Sequence, residues 1–177
     1  MDSHFLLRRI HSLTGIVPVG LFLVYHLYLQ LYLHSGAEVY NEVINGFYDS
    51  PLAIWVLVIV VYIPLFFHAF FGIRLMFESN VQPSYTYFSH LLYWLQRISG
   101  VGVPLFIIAH IWNPQLGPWI SGTWGAHFEH LSSGFNTFCM TWGIALTPKS
   151  QIRVRIISFI IFLILAGSAF YALSAIW

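Results

Sequence analysis

Apolar residues in this chain do not alternate; they run in blocks about as long as a bilayer is thick. A helix rises 1.5 Å per residue and needs about 20 apolar residues to cross a hydrocarbon core of roughly 30 Å. Blocks of that kind run near 12–33, 52–77, 91–112 and 153–176. The last is the most uniform, with Ser158 as the one polar residue between Ile156 and Ala166. A fifth stretch, 119–146, is more polar, with Glu129, two histidines and many Ser, Thr and Gly, and its composition alone predicts no span. The polar, basic start from Met1 to His11 leads straight into the first block without a small-residue cleavage signal, which predicts a retained first helix. The expected fold is all-α, a single membrane domain over 1–177.

Charge turns these blocks into a topology. The seven basic residues fall in three places: Arg8 and Arg9; Arg74 and Arg97; Lys149, Arg153 and Arg155. The 34–50 segment carries Glu38, Glu42 and Asp49 and no Lys or Arg, and the turn at 113–118 has no charge. The positive-inside rule puts all three basic regions in the cytoplasm. That needs five crossings, with 119–146 as the fourth, the N-terminus inside and the C-terminus outside. A multi-pass location in a membrane bordering the cytoplasm follows as the expectation.

Composition then narrows the chemistry. With 58% hydrophobic and 7% charged residues, the chain is far from the roughly 25% charge of a soluble domain, so its main neighbours are membrane lipid and protein. A net charge of +1 argues against a nucleic-acid partner. The single cysteine, Cys139, excludes an internal disulfide and Cys-rich iron–sulfur or zinc patterns. Gly100-Val-Gly102 lacks the third glycine of a dinucleotide fingerprint.

Histidines carry the sharpest signal, since ionisable residues inside spans are rare and usually functional. His26 lies roughly 20 Å in from the cytoplasmic start of the first span, and His110 a similar roughly 20–25 Å along the third, which runs the same way. His68 comes roughly 24 Å after the outer start of the second span, and His130 roughly 18 Å into the fourth. Depth therefore pairs His26 with His110 in the outer half and His68 with His130 in the inner half. Two histidines facing each other across a bundle core can hold one haem iron from both sides, so two pairs predict two haems. Gly72 and Gly134 follow His68 and His130 by four residues, where a flat macrocycle would need a bare turn. Pro18, Pro64 and Pro104 precede candidate ligands and are expected as bends.

Simpler roles compete. A single membrane histidine is as often a structural hydrogen-bonder as a ligand; four at paired depths on four helices favour ligation. His127 competes with His130 for the fourth position, and Gly134 favours His130. His11, at the cytoplasmic lip with Arg8 and Arg9, fits a haem propionate contact and interfacial anchoring equally. His4, His34 and His90 are expected to be solvated or interfacial. Glu129, ionisable within a span, is a functional candidate on that ground alone.

Four blocks resemble a known family: FLLRRIHSLTGIVPVGLFLVYH over 5–26, PLFFHAFFG over 64–72, LQRISG over 95–100 leading to His110-Ile-Trp112, and TWGIALTPKSQ over 141–151. They are similar to the single-chain dihaem cytochrome b subunit of bacterial succinate dehydrogenase. The resemblance implies a five-helix membrane anchor for a flavoprotein subunit and an iron–sulfur subunit, which carry the dicarboxylate chemistry. It implies two b haems, with His26 and His110 on the outer, low-potential one and His68 and His130 on the inner, high-potential one. His11 matches a family histidine at the start of the first helix, and Arg9 and Arg97 join it as propionate or interface contacts. The chain departs from the pattern in one place, since twenty residues separate His110 from His130 and the family usually has more.

The expected function is electron transfer from the iron–sulfur subunit through two haems to a membrane quinone, menaquinone before ubiquinone. Asp49, Glu38 and Glu42 are candidates for proton delivery on the outer side, and a solvated acidic loop is the plainer reading of each. The same parts fit the anchor of a fumarate reductase or of another quinone-linked dehydrogenase. A haem-free small transporter using its histidines as a proton relay is the alternative of a different class.

Overall fold

A computed structural model describes residues 3–78, 87–112 and 124–175 of the chain. These residues form five rods, all helical. The first comprises α1 (Ser3–Thr14) and α2 (Leu21–Gln30), joined by a π turn over Gly15–Gly20 and ending in a 3₁₀ turn, Leu31–Ser35. A twelve-residue helix, α3 (Ala37–Tyr48), links it to the second rod. That rod is α4 (Pro51–Val56), a π turn over Leu57–Tyr62, and α5 (Ile63–Glu78). The others are α6 (Tyr87–Trp112), α7 (Trp124–Thr141) and α8 (Pro148–Leu173).

Prolines explain the two wide turns. Pro18 lies inside the first, and Pro64 follows the second by two residues. A proline has no N–H to give and its ring collides with the carbonyl four residues back. Widening the helix by one residue relieves the collision without breaking the rod. These prolines therefore do more than bend the helices. Each π turn ends six residues before a histidine, His26 in one rod and His68 in the other.

Side-chain links fix which way the rods run. His4 Nε2 meets Glu78 Oε2 at 3.0 Å, joining the start of α1 to the end of α5. The Arg9 guanidinium lies 5.0 Å from the Trp142 ring, just past the end of α7. At the opposite end the His34 ring nitrogen bonds the Tyr171 carbonyl at 2.6 Å, so the first rod and α8 finish together. The first rod, α6 and α8 thus run one way, and the second rod and α7 the other. All seven basic residues gather toward one end, and Glu38, Glu42 and Asp49 toward the other.

By length and apolar composition, four helical stretches can cross a membrane: His4–Ser35, Pro51–Glu78, Tyr93–Ile111 and Pro148–Leu173. The first has 32 residues, or roughly 48 Å, longer than the hydrocarbon core alone requires. α7, with 18 residues, falls short on composition yet packs along α8, α6 and α1. Outward faces are apolar, as lipid contact demands: Phe70 is 72% exposed and Phe77 79%.

The inward seams use small residues. Leu27, Leu165 and Ala169 are buried together, with Leu131 and Phe162 against them, where α2, α7 and α8 meet. In lipid no hydrophobic force draws helices together, so close packing of these aliphatic and small side chains carries the association. A second cluster, Cys139, Ala145 and Val154, closes the α7–α8 corner. There Gly143 sits at φ +73°, while Ile144 N donates to Cys139 O at 2.8 Å and Gly143 N to Met140 O at 3.1 Å. This is the Schellman helix stop. α8 then begins with a capping box between Thr147 and Ser150, followed by Pro148 in its first turn.

The segment between the first two spans is more ordered than the sequence suggests. Within α3, Tyr40, Val43, Ile44 and Phe47 are half-buried, whereas Glu38, Glu42 and Asn45 are exposed. Their 3-4 spacing makes a narrow apolar stripe. Phe47 meets Tyr25 at 6.3 Å between ring centroids, and Tyr40 Oη donates to Gln30 Oε1 at 3.3 Å.

Candidate functional site

Two pairs of imidazoles face each other inside the bundle. His26 of α2 and His110 of α6 have ring centroids 6.0 Å apart at 81°. His68 of α5 and His130 of α7 have centroids 6.2 Å apart, also at 81°. These are the partners that depth alone pairs. An imidazole nitrogen bonds a transition metal at about 2.0 Å and its ring centroid lies about 1 Å further, so two imidazoles on one metal keep centroids about 6 Å apart.

The pairs sit at different levels. His68 lies beside residues 11–15 of the first rod, and His26 is 11 to 15 residues further on. That separates them by roughly 16–23 Å along the bundle. The His68–His130 pair is nearer the basic end.

Each ring of the basic-end pair is held through its other nitrogen. His68 Nδ1 lies 2.8 Å from the backbone oxygen of His11. A carbonyl only accepts, so Nδ1 carries the proton and Nε2 keeps the lone pair a metal needs. His130 Nδ1 lies 3.2 Å from Ser99 Oγ, which itself donates to Gln96 O at 3.1 Å. A His130 ring that donates from Nδ1 to this hydroxyl keeps Nε2 for a metal, as His68 does. Thr137 Oγ1 donating to Gln96 Oε1 at 3.2 Å ties the same turn of α6 to α7.

The acidic-end pair is held by aromatic rings. Phe22 stacks on His26 with centroids 5.9 Å apart, and Phe106 on His110 with centroids 5.6 Å apart. Both phenylalanines precede their histidine by four residues, so the same face carries both rings. His110 Nδ1 is buried with no hydrogen-bond partner among the described residues. Leaving such a group unsatisfied costs about 1–3 kcal/mol, which marks a place for a bound group. Among the described residues no three of His, Cys, Asp or Glu converge as they would around a bare metal ion. Two imidazoles suffice when a macrocycle supplies the remaining ligands, so these residues fit haem.

Some expected residues stand differently. His11 is half-buried and lies flat on His68, with centroids 4.1 Å apart and planes at 5°. A Cβ on Gly72 would come within 2.9 Å of His11 Nε2, so the bare turn makes room for the His11 ring. A Cβ on Gly134 would meet nothing within 4 Å, so that turn is open beside His130. Arg9 is clasped between Phe5 (4.6 Å to the centroid) and Trp142 (5.0 Å), and its Nε is buried with no hydrogen-bond partner among the described residues. The Arg97 guanidinium lies 4.4 Å over the Tyr93 ring. Glu38, Glu42 and Asp49 are exposed. His127 and Glu129 lie on the α7 backbone, but their side chains fall outside the described residues, as do all of 113–123 in the short connection.

Ser99, Thr14, Phe22 and Phe106 were not singled out in the sequence as neighbours of the histidines. The repeated Phe-x-x-x-His spacing at 22–26 and 106–110 is a signal that finds two of the neighbours. Nothing in the sequence points from His130 to Ser99, 31 residues away.

Residues 5–87 match the family model described as succinate dehydrogenase/fumarate reductase transmembrane subunit. The succinate dehydrogenase cytochrome b558 subunit of Bacillus subtilis is 30% identical over 200 aligned positions, covering 99% of this chain and 97% of the relative. The chain belongs to this family. Its family supplies the membrane-embedded subunit of an oxidoreductase complex, and the name cytochrome b implies haem b. The 200 aligned positions exceed the 177 residues of this chain, so the relative carries insertions that it lacks. No solved structure matches the chain.

Proposed function

We propose that this chain anchors a flavoprotein subunit and an iron–sulfur subunit to the membrane and conducts electrons from them to a membrane quinone through two b haems. The observation that carries the reading is the pair of facing imidazole couples, 6.0 and 6.2 Å between centroids. His26 and His110 would hold one haem and His68 and His130 the other. A haem with both axial positions filled exchanges single electrons and has no vacancy for other ligands.

The chain's own residues do the rest. The His11 carbonyl and Ser99 fix two imidazoles in the tautomer that presents Nε2. Phe22 and Phe106 pack the other two and keep water from them. Arg9 and Arg97 supply positive charge for propionates or for the partner interface at the basic end. By the charge rule this end is cytoplasmic, which makes all five rods crossings and α7 the fourth span. The opposite end then faces outward, and its exposed Glu38, Glu42 and Asp49 are in place to exchange protons for quinone reduction there. Menaquinone, the lower-potential acceptor, fits an outward site best.

The test is a reduced-minus-oxidised absorption spectrum with haem quantitation on the purified complex. Two b haems per chain are expected, falling to one in His26→Ala or His68→Ala. A colourless complex with no co-purifying soluble subunits would overturn the reading in favour of a haem-free transporter.

A further inference from the structure

The turn of the first rod between His11 and Gly15 surrounds the His68 ring. A Cβ built on Gly15 would overlap His68 Cε1 and come within 2.9 Å of Nδ1 and 3.1 Å of Nε2. No rotamer of a flexible tip relieves this, because the obstructed group is a rigid ring packed inside the bundle. The His11 carbonyl takes the Nδ1 proton at 2.8 Å, and the His11 ring covers one face at 4.1 Å. The π turn begins at Gly15, so this carbonyl sits where the regular ladder is interrupted. A carbonyl oxygen has two lone pairs, and the Thr14 Oγ1 hydroxyl also donates to this one, at 2.9 Å.

Ordinary close packing of small residues does not account for the arrangement. At Gly20, in the same π turn, an added Cβ would meet the tip of Leu131 at 2.9 Å, which is the aliphatic contact that helix packing uses. At Gly15 the three nearest atoms all belong to the His68 imidazole.

We propose that the start of the π turn is a seat for the His68 imidazole. Gly15 admits the ring, the His11 carbonyl holds its proton, and the Thr14 hydroxyl competes for the same carbonyl and so weakens that hold. The three are positioning residues, and the inference rests on the reading that His68 binds a haem iron. A stronger hydrogen bond from the far nitrogen makes an imidazole a more basic ligand, which favours the oxidised metal. Thr14→Val, nearly isosteric, removes the competing donor and should lower the midpoint potential of the His68 haem. Gly15→Ala pushes the ring away from the carbonyl and should raise that potential or reduce the content from two haems to one.

The experiment is a redox titration of the complete complex in native membranes, followed at the haem absorption bands, for wild type, Thr14→Val, Gly15→Ala, His68→Ala and the control Gly167→Ala, whose Cβ would meet nothing within 4 Å. The step lost in His68→Ala identifies its haem; two haems retained there would sink the ligation reading itself. With that step identified, a fall in Thr14→Val confined to it supports the seat. An unchanged or raised potential in Thr14→Val, or equal movement of both steps, overturns it. Should Gly15→Ala fail to assemble, Thr14→Val decides alone.

Discussion

His68 and His110, one from each facing pair, are supported very differently. The first is bound through Nδ1 and covered by a second ring, while the second is packed by a phenylalanine with its Nδ1 left over. Position within the apolar blocks was enough to pick these residues, because an imidazole is costly in lipid wherever it has no use. Their supports were illegible, because the key acceptor at His68 is a backbone carbonyl, which every residue carries. Arg9 makes a prediction at the same scale. Its charge is held in an aromatic clasp near the basic-end pair, and a nearby cation favours an added electron by on the order of 1 kcal/mol in this setting. Arg9→Gln should lower the potential of the His68/His130 haem more than that of its neighbour, measured by redox titration. Arg9→Lys should keep the charge but loosen the clasp, since an ammonium cannot stack as a guanidinium does.

Helices were legible where apolar runs were long, and their irregularities were not. Pro18 and Pro64 announce a disturbance, but whether a rod kinks or widens depends on what packs beside it, here His68 against Gly15. α3 escaped notice for another reason. A twelve-residue helix is marginal alone, and its stripe from Tyr40 to Phe47 is stable only with the bundle end beneath it. The α7–α8 stop was readable in principle from Gly143 after an apolar helix. At φ +73°, Gly143→Ala should cost about 1 kcal/mol, seen as a lower melting temperature of the solubilised complex with both haems retained. Gly167→Ala, in mid-helix, should if anything raise it, because alanine is the better helix former.

Over the whole molecule, charge was the most informative feature of the sequence. Seven basic residues at one end and three acidic ones at the other orient five rods that hydropathy alone would count as four. With the basic end inside, as proposed, an electron carried to the acidic end gains about 2.3 kcal/mol per 100 mV of inside-negative potential. Succinate oxidation by whole cells should therefore slow when an uncoupler collapses the potential. An unchanged rate, followed as succinate-dependent quinone reduction, would move the quinone site to the inner face. The short connection between His110 and His130 bears on the same question, and restoring residues there should leave both ligand pairs in place, as the haem content would report.

The hydrogen bonds of the basic-end pair also have a consequence for protons. The His68 proton ends on the His11 carbonyl. An amide oxygen accepts a hydrogen bond but has no proton to hand on. On that side the His68 ring, which would conduct electrons, is insulated against proton leakage.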